Sequence, residues 1–303
     1  MPSAAAIGSK TIDVIGYPCS ARGRGLRTAV TAAHYLAARG ARVRQLRGTT
    51  PATTIDLIRE RLGRPDRPEV IACAGGDDLI SLVLQAISGT GVALGLLPTG
   101  HRDDLAAALG IPLGDLRSAA EVVLAGQLRD IDVGVVGTAP AAHTMFTTAV
   151  HIGSDTRLLD RSYRPWSPGL PAALLAPSAQ PVRIELTCGT DSSTPTVIET
   201  EALLVTVGNV GRTGGKRICP DARLDDGLLD VTVVGSAPRG QTLRLLTALA
   251  VGRAIAHPAV TYHQAAAVSV WCPAGSAMVD GTALDARPCT AHVLRGAQAV
   301  LVP

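Results

Sequence analysis

Residues 71–87 read IACAGGDDLISLVLQAI, and residues 92–112 read VALGLLPTGHRDDLAAALGIP. Each stretch is an apolar run, then a glycine-containing polar turn, then an amphipathic segment of helical period. Two successive strand–turn–helix units set their turns side by side at the carboxyl edge of a parallel sheet. Backbone N–H groups and helix N-termini at that edge can hold an anion such as phosphate. Three residues are unusual occupants of turns that would cradle phosphate, Asp78 in the first and His101 and Arg102 in the second.

The same alternation extends outward from these units. Residues 11–17 (TIDVIGY) are strand-like and end at a turn over 18–23, and residues 26–39 have helical spacing closed by Gly40. A short strand over 41–46 precedes a helix over 53–62 capped by Thr53 or Thr54, and a third strand covers 69–74. Strands alternating with helices as far as residue 128 predict an open α/β layer.

Near Arg129 the pattern changes. Residues 129–136, 144–150, 182–187, 201–207, 229–234, 268–271 and 292–294 are short strand-like runs separated by Gly, Pro, Asp and Ser. A proline-rich loop leading into a short helix is expected over 162–178, and the one substantial helix over 241–255. This half predicts mostly antiparallel β structure, with a last strand over 293–302 returning to the first domain.

Composition sets bounds on function. A chain of 303 residues suits two domains. It is 47% hydrophobic but only 2% aromatic, so the core must be built from small and branched aliphatic side chains, as buried parallel strands are. A net charge of +3 is too mild for a nucleic-acid surface, and few aromatic rings are present to stack on bases. The six cysteines have no CxxC spacing, which argues against zinc and for free thiols in a reducing cytoplasm. Neither a signal peptide nor an apolar run of membrane-spanning length is evident. The expectation is a soluble cytoplasmic protein, with peripheral membrane contact and a homodimer left open.

Four motifs carry the candidate chemistry. In Ala74-Gly75-Gly76-Asp77, the glycines let the backbone approach a ligand and Asp77 can meet a metal-bound phosphate or a hydroxyl; the alternative is an ordinary turn in which Asp77 caps the helix. In Pro98-Thr99-Gly100-His101-Arg102-Asp103-Asp104, Asp103 or Asp104 is a natural N-cap for the following helix. The third runs Val207-Gly208-Asn209, then Gly214-Gly215-Lys216, then Leu224-Asp225-Asp226-Gly227-Leu228-Leu229-Asp230. Its Asp-Asp-Gly makes either a tight turn or a hard-cation site, since Mg²⁺ prefers oxygen ligands. The fourth, Met278-Val279-Asp280-Gly281-Thr282, is locally only a turn.

In their order and spacing these segments resemble the diacylglycerol kinase/sphingosine kinase-type soluble bacterial lipid kinases, related more distantly to NAD kinases. The resemblance runs over nearly the whole chain. Residues 74–78 stand where that family has Gly-Gly-Asp-Gly-Thr, residues 98–104 where it has Pro-x-Gly-Thr-x-Asn-Asp, and residues 208–230 match most specifically. It implies an α/β nucleotide-binding domain over 1–129, completed by 293–303, a β-sandwich domain over 130–292, and a cleft between them. There ATP and Mg²⁺ would meet the hydroxyl of a diacylglycerol- or sphingoid-like lipid.

Carried over, Gly75, Gly76 and Asp77 would contact the phosphates or their metal, and Gly100, His101, Asp103 and Asp104 would form the second phosphate-facing turn. Asp226, with the carbonyls of Arg223 and Leu228, would hold a structural Mg²⁺. The family's base, a glutamate, is Thr282 here, which leaves Asp77 or Asp285 as candidate replacements. Asp78 stands for a glycine, Leu79 and His101 for threonines, and Asp103 for an asparagine, while Arg102 would partly compensate as a hydrogen-bond donor to phosphate. A phosphate about 5 Å from Asp78 would be repelled by about 3 kcal/mol at an effective dielectric of about 20. Two alternatives follow: an impaired family member that binds nucleotide or lipid, and an NAD kinase-like phosphotransferase.

Overall fold

The structure, a computed structural model, describes residues 10–17, 24–99, 102–139, 142–153, 179–189, 194–238, 240–242, 245, 248, 256–284 and 288–303. The turn expected over 18–23, the loop over 162–178 and most of the helix over 241–255 lie outside these residues. The chain divides into two compact units, Met1–Ile131 with Gly296–Pro303, and Asp132–Arg295.

The first unit is an α/β layer. Its elements are β1 (Thr11–Gly16), α1 (Arg24–Ala38), β2 (Arg42–Leu46), α2 (Pro51–Leu62), β3 (Val70–Ala74), α3 (Asp77–Ile87), β4 (Ala93–Leu97), α4 (Asp104–Ala108) and α5 (Leu116–Ala125). The strands are parallel in the order β2-β1-β3-β4. β3 and β4 are buried at every position, which is why they read as unbroken apolar runs. β2, RVRQL, buries only Leu46, and its charges protect the sheet edge from pairing with another chain.

Helix α2 starts earlier than its apolar pattern suggests. Thr50 is the cap: its hydroxyl accepts the Thr53 N–H at 3.2 Å, and the Thr53 hydroxyl accepts the Thr50 N–H at 2.9 Å. The cap expected at Thr53 or Thr54 moves to Thr50 because Pro51 fits the first helical position, where no N–H is needed. A buried charge also ties α2 to the sheet. Asp13, fully buried in β1, accepts from Arg61 Nε at 2.8 Å, and Arg61 also reaches Asp66. Such a carboxylate is tolerated inside only with its cation in place.

The second unit is antiparallel β structure. Its strands are β5 (Gln127–Ala139), β6 (Ala142–Phe146), β7 (Ala149–Gly153), β8 (Gln180–Thr187), β9 (Thr196–Gly208), β10 (Arg212–Thr213), β11 (Lys216–Arg217), β12 (Leu229–Gly235), β13 (Val260–Ala265), β14 (Ala267–Trp271), β15 (Ser276–Val279), β16 (Thr282–Leu284) and β17 (Cys289–Val302). The first residues of β5 and the last of β17 belong to the first unit. β9 is the spine, pairing with β7, β8 and β12. β14 joins β8 to β17, and β15 joins β7 to β16. Phe146, Ile184, Val205, Leu229 and Ala265 centre an apolar core that, among the described residues, holds no second aromatic ring. The architecture is the expected one, an N-terminal α/β domain followed by a β-sandwich-like domain.

Two strand expectations change. The single run over 144–150 is two strands, β6 and β7, broken at Thr147 and Thr148. The break occurs because the N–H groups of Thr147, Thr148 and Ala149 donate to the Asp280 carboxylate. The last strand begins at Cys289 and enters the first unit, where Val300 pairs in parallel with Leu94 and Gln298 Nε2 donates to the Val92 carbonyl at 2.9 Å. Among the described residues no helix is long and apolar enough to cross a membrane.

Candidate functional site

Strand β3 ends at Ala74, and Gly75-Gly76 leads directly into α3. Gly76 is the N-cap in extended conformation and, being glycine, makes no side-chain cap bond. The N–H groups of Leu79 and Ile80 donate to the Gly76 carbonyl at 3.0 and 3.1 Å, so the turn itself starts the helix.

Asp77 does not fold back on α3. Its Oδ2 accepts the Asp104 N–H at 3.0 Å and its Oδ1 the Leu105 N–H at 3.1 Å. Its own N–H donates to the Arg102 carbonyl at 2.8 Å. Asp77, 3% exposed, therefore caps α4 from the other turn. Asp103 takes the N-cap position of α4 without a side-chain cap bond, so the capping expected of Asp103 or Asp104 is supplied by Asp77. The physical reason is reach: the first residue of α3 points its carboxylate at the start of α4 and holds both turns together. Gly75, Gly76, Asp77, Asp103 and Asp104 thus line one junction, while Gly100 and His101 lie outside the described residues. Asp78 is exposed and Leu79 is buried in the core.

The second unit holds the Asp-Asp-Gly turn. Gly227 has φ +72°, a conformation that favours glycine, and the Arg295 guanidinium packs where a Cβ would stand. The Gly227 N–H donates to Asp132 Oδ2 at 2.6 Å, the Leu228 N–H to Asp226 Oδ1 at 3.0 Å, and Arg295 Nη2 to the Asp226 carbonyl at 3.1 Å. The oxygens expected to hold a cation, those of Asp226 and the Arg223 and Leu228 carbonyls, are of the kind a hard cation takes. Among the described residues no three or more His, Cys, Asp or Glu are grouped to hold a metal, so a cation on Asp226 would keep water ligands. Burial pushes the Asp230 carboxyl up to about 6; the Gln264 hydrogen bond opposes this, and the charges of Asp226 and Asp221 add to it.

Three polar residues matter more than local reading suggests. Asp280 and Gly281, at φ +44° and +86°, form the two-residue turn between β15 and β16. Asp280 is 7% exposed, and its carboxylate accepts the N–H groups of Thr147, Thr148 and Ala149 at 3.0, 3.1 and 3.1 Å, as well as the Thr148 hydroxyl. Asn209, fully buried, donates from Nδ2 to the Asp132 carbonyl at 2.9 Å and the Thr147 carbonyl at 3.3 Å. Asp132 in turn holds Gly227. The signal available in the sequence is one polar residue inside each apolar run: IDVG, VGN and VDG. Thr282 follows, exposed at the start of β16, and Asp285 lies outside the described residues.

The diacylglycerol kinase catalytic domain model matches residues 12–136, and the model of the YegS C-terminal NAD kinase beta sandwich-like domain matches residues 175–302. Both halves of the chain are thus similar to the diacylglycerol kinase-like family. A diacylglycerol kinase of Mycobacterium tuberculosis (strain ATCC 25618 / H37Rv) is 29% identical over 301 residues, covering 96% of this chain and 95% of that one. A solved diacylglycerol kinase structure from Bacillus anthracis str. Sterne superposes at TM-score 0.71 and 20% identity, over 97% of each chain. An NAD kinase from Archaeoglobus fulgidus, in complex with ATP, reaches TM-score 0.52 at 10% identity, over 96% of this chain and 93% of that one. Both structural likenesses are of fold. The turn pair of the first unit falls inside the catalytic domain match, and the Asp-Asp-Gly turn inside the second.

Proposed function

We propose that this chain transfers the terminal phosphoryl group of ATP to the hydroxyl of a diacylglycerol- or sphingoid-like lipid. The observation that carries the reading is the junction at Asp77, whose carboxylate holds the start of α4 and whose N–H donates to the Arg102 carbonyl, so that the Gly75-Gly76 turn meets the turn before α4. In the transfer, the lipid oxygen forms a bond to the γ-phosphorus, the bond to the ADP oxygen breaks, and the hydroxyl proton departs to a base. Little covalent work falls to the protein, so positioning and charge stabilisation supply the rate.

Asp77 is better suited to holding than to proton transfer, because both its oxygens already accept backbone N–H groups. Thr282, at the family's base position, is a neutral hydroxyl near pH 7, and loss of a general base costs about 10²–10⁴-fold in rate. Asp226 with the Arg223 and Leu228 carbonyls would hold Mg²⁺, a cation that neutralises charge where it binds. The exposed Thr282 and Asp78 favour one second reading, a family member that binds nucleotide or lipid and turns over slowly or not at all.

Calorimetry with Mg²⁺–ATP, beside phosphate transfer to diacylglycerol, sphingosine and NAD, tests both. Lipid turnover is the expected result. ATP binding without turnover of any acceptor selects the second reading, NAD phosphorylation would move the chain to the NAD kinase-like alternative, and no binding at millimolar ATP ends all three. A Thr282→Glu, Asp78→Gly double variant is expected to raise turnover.

A further inference from the structure

The charges of the first unit are unevenly placed. From Val14 to Ile55 the sequence holds seven arginines and not one Asp or Glu, while all 25 acidic residues of the chain lie outside that stretch. The overall charge of +3 therefore hides a local surplus. In the structure this stretch supplies α1 and the edge strand β2, which pack against each other. Five exposed arginines stand on these two elements or directly after them: Arg27, Arg39, Arg42, Arg44 and Arg47.

Carboxylates from other elements meet two of the five. Glu121 of α5 pairs with Arg39 at 3.0 Å, and Asp66 pairs with Arg44 at 3.3 Å. All four side chains are exposed, and such pairs hold weakly. Arg27, Arg42 and Arg47 have no carboxylate partner among the described residues. Arg42 and Arg44 are two positions apart and share one side of β2, so they repel each other. Charge on β2 guards the sheet edge, but that role asks nothing of the helix beside it. α1, RGLRTAVTAAHYLAA, carries two arginines and no acidic residue. A surplus held across two packed elements against its own repulsion suits an anionic partner.

We propose that the α1–β2 face of the first unit docks onto an anionic bilayer surface. The proposal rests on the reading that the phosphoryl acceptor is a lipid, and adds to it the face and the lipid charge that would bring the protein to its substrate. Each arginine near such a surface adds an attraction that salt weakens. A nucleic acid is the poorer fit, because Tyr35 is the one Phe, Tyr or Trp on the two elements and bases would find few rings to stack on.

The test is co-sedimentation of the full chain with vesicles of phosphatidylcholine alone and of phosphatidylcholine mixed with phosphatidylglycerol, at rising salt, with duplex DNA as a second polyanion. The expected result is binding to the mixed vesicles only, lost as salt rises. Arg27→Glu with Arg42→Glu is expected to weaken that binding about thirtyfold or more. Arg212→Glu with Arg217→Glu, on the second unit and equal in net charge, is expected to cost less than about threefold. Equal losses from the two pairs overturn the proposal by showing that overall charge is at work. No binding of the parent to mixed vesicles overturns it, as does tighter binding to the duplex than to the vesicles. Phosphate transfer to a water-soluble short-chain diacylglycerol is measured alongside. Turnover by a parent that ignores vesicles removes the docking face and leaves the lipid kinase reading standing, whereas vesicle binding without turnover supports the face and counts against that reading. Thermal melting checks that the variants are folded, and Arg27→Gln with Arg42→Gln replaces the reversed pair should it fail to fold.

Discussion

Two buried carboxylates, Asp77 and Asp280, do the same physical job in different units. Each accepts backbone N–H groups from a segment remote in sequence, Asp77 from residues 104 and 105 and Asp280 from residues 147 to 149. Locally, Asp77 reads as a cap or a phosphate contact and Asp280 as a turn, because their partners are 27 and more than 130 positions away. Alanine at either position strands those N–H groups, at about 1–3 kcal/mol for each buried donor left unmatched. We expect urea denaturation of Asp77→Ala and Asp280→Ala, without any ligand, to show losses of about 2–5 kcal/mol, larger for Asp280. Unchanged stability in Asp77→Ala would mean that the carboxylate is kept for chemistry alone.

Among the elements, period and capping chemistry made the first unit legible. β3, α3 and β4 fall within a residue or so of their sequence patterns because buried parallel strands and an amphipathic helix leave strong signatures. The second unit was less readable. β13, β15 and β16 carry exposed or half-buried residues at most positions, so their apolar signal is weak. β5 and β6 show how packing adds a constraint that no propensity contains. Gly134 lies opposite Phe146, the one phenylalanine of the chain, and a Cβ on Gly134 would stand 2.2 Å from the ring. The buried ring takes the space a side chain would have used. Gly134→Ala should therefore cost about 1–3 kcal/mol, and pairing it with Phe146→Leu should recover part of that loss in a double-mutant cycle. Additive losses would show that the ring is not what excludes the methyl.

Across the whole molecule, the chain's last residues complete the sheet its first residues began. Val300 and Leu301 are 0% and 2% exposed, Val300 pairs with Leu94, and Gln298 donates to Val92 from 206 positions away. Burying two such aliphatic side chains is worth about 3–6 kcal/mol, comparable with the whole stability of many domains. A chain ending at Arg295 should melt far below the full chain and be cut by protease within the first unit, and an unchanged melt would show that the returning strand is dispensable. The order of apolar runs, turns and caps was enough to set an α/β half before a β half and to mark the glycine turns, because period and turn chemistry are local properties. Which carboxylates hold backbone and which face solvent was decided only by tertiary contact, since hydrogen-bond partners distant in the chain leave no periodic trace. The turn pair at residues 74–79 and 98–105 shows both: its glycines mark the turns in the sequence, and only the fold shows Asp77 clamping the start of α4 and Arg102 at positive φ beside it.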